Sequence, residues 1–377
     1  MKGSDFPIYL DYAATTPVDS EVVQAMLPYF SEQYGNAASR FHPYGWMAEE
    51  AIDEAKKSIS KITGYSSKEI IFTSGATESI NLALKGFFEA RNFQGTLITP
   101  LTEHKATLDT VEYLQSKGVK VHHLPVNTNG EIDLEQFDPL LEGKDCLLSV
   151  MQVNNETGVI LPVNEIIELA HQKGAKVHVD ATQAVGKLPF LSSADMTSFS
   201  AHKIYGPKGV GVLLCKKEVE LSPQIHGGRH QRNRRSGTLN VSGIVGVSKA
   251  LQLAEAKREG EFVRLQHLSS KLENALLTAL ENAEVNAIGA TRVPGISSIC
   301  FKGIDGEDLL MRMTKIAVSN GSACNSASTE PSYVLRTMGK TEADAFASIR
   351  FSLGRFTTEM EIEKAVKHVI ETVNQNL

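Results

Sequence analysis

Residues 176–209 read KVHVDATQAVGKLPFLSSADMTSFSAHKIYGPKG. Two short apolar runs, Lys176–Asp180 and Met196–Ser200, fit buried strands. Each ends on a polar residue that opens a turn. Asp180 closes the first run, and Ser200-Ala201-His202-Lys203 follows the second. A carboxylate at the end of a buried strand lies where open α/β sheets bind ligands, and it is costly there unless paired. It could equally cap the segment that follows. Lys203 comes 23 residues after Asp180, in a segment that is neither helical nor amphipathic. A lysine held there beside a histidine can form a Schiff base with an aldehyde, although most lone lysines are solvated surface charges.

Outward from this stretch the same pattern repeats. Strand candidates are Glu69–Thr73, Thr96–Thr99, Val119–Leu124, Asp145–Val150 and Gly209–Cys215. Amphipathic stretches at Thr77–Arg91, Lys105–Lys117, Leu134–Leu141 and Val163–Lys173 lie between several of them. Strand then helix, repeated, predicts a mostly parallel sheet with helices on both faces. After about Val241 the pattern changes. One long helix is expected over Ser242–Asn282. Strands at Ile296–Phe301 and Ala317–Ser319 follow, with helices near Asp305–Thr314, Pro331–Met338 and Thr358–Asn374. This predicts residues 16–250 as a large domain and 251–377 as a smaller α+β domain. Residues 1–15 form an extended arm packing with the small domain. Thr16 before Pro17 suggests a helix start.

Composition narrows the class. Hydrophobic residues at 42% and charged residues at 22% are ordinary globular usage and exclude a disordered chain. With 38 Lys and Arg against 44 Asp and Glu the net charge is −6, which argues against nucleic acid or an anionic membrane as partner. The first residues are too polar for a signal peptide, and no apolar run approaches membrane-spanning length. Four scattered cysteines make no disulfide framework and no CxxC pair. A cytoplasmic, reduced protein is the expectation, with no resident metal.

Three further pieces carry chemistry. Ser74-Gly75-Ala76-Thr77-Glu78 follows an apolar strand and opens a helix, so its amides can bind an anion; a plain N-cap at Thr77 is the alternative. His104 lies just past the strand Thr96–Thr99, where an imidazole can stack on a flat ring or merely cap a helix. Asn155 in Asn154-Asn155-Glu156 can touch a ring hydroxyl or a substrate carboxylate, or form only an Asx turn. A phosphate cradle, an aspartate for a ring nitrogen and a Schiff-base lysine, in that order, are what pyridoxal phosphate requires. Among the cysteines, Cys146, Cys215 and Cys300 sit in strand-like apolar runs. Cys324 alone sits in a small, polar segment that gives a thiolate access.

These motifs, together with YLDYAATTP (9–17), TEHKA (102–106), VNNETGV (153–159), RRSGTLN (234–240), NGSACNSAS (320–328), EPSYVLR (330–336) and SIRFSLGRFTTEMEI (348–362), resemble the cysteine desulfurases. Those are pyridoxal-phosphate enzymes of the class V aminotransferase type. The resemblance covers nearly the whole chain, and the cysteine segment resembles the iron-sulfur-cluster branch. It implies the fold type I transferase architecture: a large, mostly parallel seven-stranded sheet domain plus a smaller α+β C-terminal domain. The smaller domain would carry the catalytic cysteine loop at about 319–330.

By resemblance Lys203 is the Schiff-base lysine, Asp180 the partner of the pyridine nitrogen, and Gln183 the contact to the phenolic oxygen. His104 stacks on the ring and is a candidate acid/base. Ala76, Thr77, Ser200 and His202 contact the phosphate, as does Thr238 from the second subunit of a homodimer. Asn155 and Arg350 hold the substrate carboxylate, where a planar guanidinium suits a bidentate contact. Cys324 becomes a persulfide and can transiently ligate an iron-sulfur cluster during transfer. The products are L-alanine and sulfur delivered to acceptors such as an iron-sulfur scaffold or the tRNA-thiolation route.

The family pattern has serine at 320, threonine at 325 and glutamate at 231, where this sequence has Asn320, Asn325 and Gln231. Its end at Leu377 leads to an expectation of weak scaffold docking. Two rivals differ in kind. Another enzyme on the same cofactor, an aminotransferase or a selenocysteine lyase, has no need of Cys324. A non-enzymatic binding module has no need of Lys203.

Overall fold

The computed structural model describes residues 6–141, 143–321 and 330–375; Cys324 and Asn325 lie outside them. The expected alternation forms one seven-stranded sheet. Its order is Ile70–Thr73, Gly211–Cys215, Met196–Ser200, Lys176–Asp180, Cys146–Met151, Thr96–Pro100 and Lys120–Leu124. All pairings are parallel except the two made by Gly211–Cys215. Parallel strands need crossovers that cover both faces, and this explains their unbroken apolar runs. Successive residues point to opposite faces. Ile70, Phe72, Val177 and Val179 enter one core with the helix Val163–Gln172. Ile71, Leu97, Leu147 and Leu213 enter another with the helices Ala76–Glu89 and Lys105–Ser116.

A second, antiparallel sheet orders Ser348–Ser352, Ile296–Phe301 and Ala283–Val285. It packs on Glu359–Asn374 through Ile299, Phe351, Ile362 and Val369. The long helix runs Val241–Ala279 and serves both cores. Ile244, Val247 and Leu251 pack with the large sheet, and Leu265, Leu272 and Leu276 with the small one. The arm runs beside the small sheet. Ile8–Tyr9 pairs in parallel with Ile316–Ala317, and Asp11 bridges to Ser352.

Several local expectations are corrected. The first helix begins at Ser20, capped by Asp19, whose carboxylate accepts from Glu21 N at 3.0 Å. Thr16 instead ties the arm to the lysine segment, donating to His202 O at 2.8 Å and accepting from Tyr205 N at 2.8 Å. Leu134–Leu141 holds only a single α turn, Leu134–Phe137, and a 3-10 turn. A 21-residue helix, Pro43–Thr63, was not among the expected elements. Its buried face is built largely of Ala48, Ala51 and Ala55, a weak apolar stripe.

Asp195 shows how a strand entry is held. Its buried carboxylate accepts from His171 Nε2 at 2.8 Å, Lys176 Nζ at 2.9 Å and Val177 N at 3.0 Å. Burial alone would raise the carboxyl's pKa, but these donors, His171 foremost, more than reverse that and hold it below the usual carboxylate range. A depressed folded-state pKa gives stability that is present above the unfolded value of about 3.9 and lost as pH falls through the folded value. Asp195→Asn is therefore expected to cost about 1–3 kcal/mol at neutral pH in urea unfolding. The gap to wild type should close as the pH is taken below about 4. An equal gap at pH 7 and pH 3 would contradict the assignment.

Candidate active site

A cavity of about 530 Å³ opens at the carboxyl ends of the parallel strands. Asp180, Ser200 and Met151, each the last residue of its strand, line it. It also collects Ala76, Thr77, His104, Asn155, Gln183, His202, Lys203 and Arg350. The site residues expected from the sequence thus converge, with two exceptions. Thr238 is exposed and does not line the cavity of its own chain, and Cys324 lies outside the described residues.

The strand Ile70–Thr73 turns at Ser74-Gly75 into the helix Ala76–Glu89. The N-cap is Gly75, not Thr77, and no side chain caps this end. First-turn amides have no intrahelical acceptor, so an uncapped end facing a cavity suits an anion. Gly211 permits the geometry: a Cβ on it would stand 2.5 Å from Gly75 C. Glu78 accepts from Ser74 N at 2.8 Å and pairs with Arg235 at 2.8 Å, so its charge is engaged away from the anion.

Asp180 Oδ1 accepts from Thr182 N at 2.9 Å. His104 caps the helix Lys105–Ser116, its Nδ1 accepting from Ala106 N at 3.1 Å; the neutral ring then carries its proton on Nε2. The capping role expected for this histidine is present, and the same residue lines the cavity. His202 is brought down to about 4, by burial first and then by the charges of Lys203 and Lys208, and is neutral at pH 7. Lys203 follows the strand in a 3-10 turn, and its Nζ donates to Ala13 O at 2.5 Å and Ala14 O at 2.7 Å. Tyr205, two residues on, takes a left-handed φ of 64°.

Arg350 donates to Asp11 Oδ1 at 2.8 Å and Asn155 O at 2.9 Å. Three buried atoms of this neighbourhood have no hydrogen-bond partner among the described residues: Asn155 Oδ1, Thr182 Oγ1 and Arg350 Nε. Buried polar atoms are seldom left so in native structures. Set in this wall, they suit a polar, flat ligand bearing an anionic group. Glu156 packs beneath, a buried carboxyl raised by desolvation that accepts from Ser332 Oγ. Gly321 abuts it, where a Cβ would lie 2.7 Å from Glu156 Oε2.

The sequence reading missed the backbone contribution of the arm. Ala13, Ala14 and Thr15 all line the cavity, yet no side-chain type or spacing marks a carbonyl as a ligand for Lys203. It also missed the completely buried Glu103, which accepts from Met151 N at 2.5 Å. Burial raises that carboxyl well above its ordinary range, and neighbouring Asp180 pushes the same way.

A family model described as aminotransferase class V matches residues 8–365. A cysteine desulfurase IscS of Anaeromyxobacter dehalogenans is 48% identical over 377 aligned residues, covering 98% of this chain and 93% of the relative. A solved NifS-like protein is 37% identical with a TM-score of 0.91, covering 98% of this chain and 100% of that one. SspA, solved in complex with cysteine, is 31% identical with a TM-score of 0.81 over 93% of this chain and 100% of that one.

Proposed function

The chain belongs to the class V aminotransferase family, and from that premise we propose that it is a cysteine desulfurase using pyridoxal phosphate. The observation that carries the reading is the convergence of Lys203, Asp180, His104, Asn155 and Arg350 on one cavity at the strand ends. Relatives named cysteine desulfurase align over nearly the full length.

Lys203 Nζ would hold the cofactor through its aldehyde carbon, and Asp180 would pair with the ring nitrogen. The uncapped turn at Ala76 and Thr77, with Ser200 and the neutral His202, would receive the phosphate. Gln183 would meet the phenolic oxygen, and His104 would lie against the ring. When bound, the cofactor supplies an electron sink that makes the substrate's α-proton removable. Arg350 and Asn155 hold the carboxylate of L-cysteine. Lys203 removes the α-proton, and His104, with a proton on Nε2, is the candidate acid/base that returns a proton to the substrate carbon as the sulfur is taken. The Cys324 thiolate attacks that sulfur. The C–S bond breaks, an S–S bond forms, the substrate carbon gains a proton, and L-alanine leaves. The persulfide on Cys324 is passed to acceptors, an iron-sulfur scaffold among them.

The test is L-cysteine with the cofactor-loaded protein and dithiothreitol. L-alanine and sulfide are expected in equal amounts. Amino-group transfer to a keto acid, with no sulfide, would overturn the reading.

Three further parts belong to this proposal. The protein divides into a cofactor-binding unit, 16–250, and a smaller unit, 251–377, with 1–15 as an arm; the separate sheets support this, while Ile296 and Leu335 of the smaller unit pack into the large core. It acts in the cytoplasm, where thiols such as that of Cys324 persist; Cys215 and Cys300 are buried thiols. No helix among the described residues is long and apolar enough to cross a membrane.

It also works as a homodimer. Phe30, Tyr34, Phe41 and Trp46 stand 62%, 63%, 96% and 53% exposed within one short stretch, and such patches mark interfaces. Thr238 is left to serve the neighbouring copy. Mixed Lys203→Ala and Thr238→Ala subunits should regain activity at about a quarter of all sites, those in heterodimers with neither change, by two-fold symmetry. A fully active monomer in ultracentrifugation would contradict this.

A further inference from the structure

Behind the cavity, a chain of hydrogen bonds leads from the lysine segment to a second amine. Ala13 O accepts from Lys203 Nζ at 2.5 Å and from Gln183 Nε2 at 2.9 Å. The other end of that amide, Gln183 Oε1, accepts from Lys187 Nζ at 3.0 Å, which also donates to Gln183 O at 2.9 Å. Gln183 and Lys203 line the main cavity. Lys187 reaches them from the far side, at a cavity of about 30 Å³ shared with Glu261 and Arg355.

A glutamine amide has two ends of nearly the same shape and opposite hydrogen-bond character, so its neighbours decide which end faces where. Ala13 O can only accept. An ammonium can only donate. Together they admit one orientation, with the N–H end on the arm side. Burial above all, then the charge of Lys203, brings Lys187 down to about 7, so a substantial ammonium population remains at neutral pH. An ionised phenolic oxygen needs a donor opposite it, and a reversed amide would present an oxygen instead.

We propose that Lys187 is a positioning residue for the cofactor: by capturing Oε1 it fixes the Gln183 amide with its N–H end available to the ring oxygen. This rests on the reading that the main cavity holds pyridoxal phosphate at Lys203. Lys187 itself touches Gln183 and is assigned no contact with substrate.

The experiment uses the full chain with Lys187→Met and Lys187→Arg. Two quantities are read: the dissociation constant of pyridoxal phosphate by equilibrium dialysis, and the pH midpoint at which the visible band of the resting enzyme titrates. Lys187→Met should weaken cofactor binding by about tenfold or more, the scale of one lost hydrogen bond to a charged donor, and should move the midpoint. Lys187→Arg keeps donors and should recover most of both. Gln183→Ala should show a similar loss, and adding Lys187→Met to it should cost nothing further, because the two act as one unit.

Unchanged binding and midpoint in Lys187→Met overturn the proposal. Equal losses in the methionine and arginine variants, or losses that multiply in the double variant, overturn it too. Lys187→Gln, polar but without an obligate donor toward Oε1, repeats the test should the methionine not fold. If the wild-type protein takes up no pyridoxal phosphate, the functional reading fails with it, and that result is visible in the wild type alone.

Discussion

The Lys203→Ala protein is expected to be colourless and to release no sulfide from L-cysteine. The lysine follows the strand Met196–Ser200 in a short 3-10 turn, and its amine is presented at the cavity wall by the carbonyls of Ala13 and Ala14. Alanine removes the group proposed as both covalent anchor and base. The loss in turnover should reach 10³-fold or more, on the order seen when enzymes lose a covalent or proton-transfer group. The visible absorbance that depends on the bond to Nζ should vanish with it. Folding should persist, since Thr16 secures the same segment through His202 O and Tyr205 N. A borohydride-reducible adduct surviving in Lys203→Ala would sink the assignment.

Cys324→Ser should fail at a later point in the cycle. Cys146, Cys215 and Cys300 are buried, and burial pushes Cys215 up to about 11. A thiol so placed is neither ionised nor accessible. Cys324, in a stretch of serine, alanine and asparagine, is the proposed nucleophile. Serine is a poor thiolate substitute and cannot store sulfur as a persulfide. Sulfide release should fall by on the order of 10³-fold or more. L-Cysteine should still perturb the visible spectrum, because Lys203, Asn155 and Arg350 are intact. This separates substrate capture from sulfur transfer, and it separates a desulfurase from a lyase or an aminotransferase on the same cofactor. Sulfide release within about tenfold of wild type, a barrier change of only about 1.4 kcal/mol, would remove Cys324 from the mechanism.

Much of the architecture lies in local pattern. Apolar runs of strand length alternating with amphipathic stretches specify a parallel sheet, because only crossovers can join such strands and they bury both faces. Chemistry-bearing residues at strand ends, Asp180 and the Ser200–Lys203 turn, fall at the sheet edge for the same reason. Pattern was weaker where burial is carried by small residues, as in Pro43–Thr63. It was misleading at Thr16, where a threonine before proline looked like a cap. That hydroxyl is committed to His202 and Tyr205, far along the chain.

The sequence by itself determined the sheet, the candidate cofactor residues and the setting of Cys324, since each follows from side-chain periodicity, from what a turn requires or from motif resemblance. Tertiary structure alone decided the partners: Ala13 O under Lys203, Asp11 on Arg350, Lys187 on Gln183, and Glu156 against Gly321 and Ser332. Most join distant segments, one of them through a backbone carbonyl that is chemically the same at every residue. The Lys187 contact spans only one helical turn's worth of sequence, yet it meets a glutamine amide whose other end is held by Ala13, 170 residues away. Long-range contacts are set by how packed elements return to one another, and hydrophobic periods of two or 3.6 residues carry no record of that.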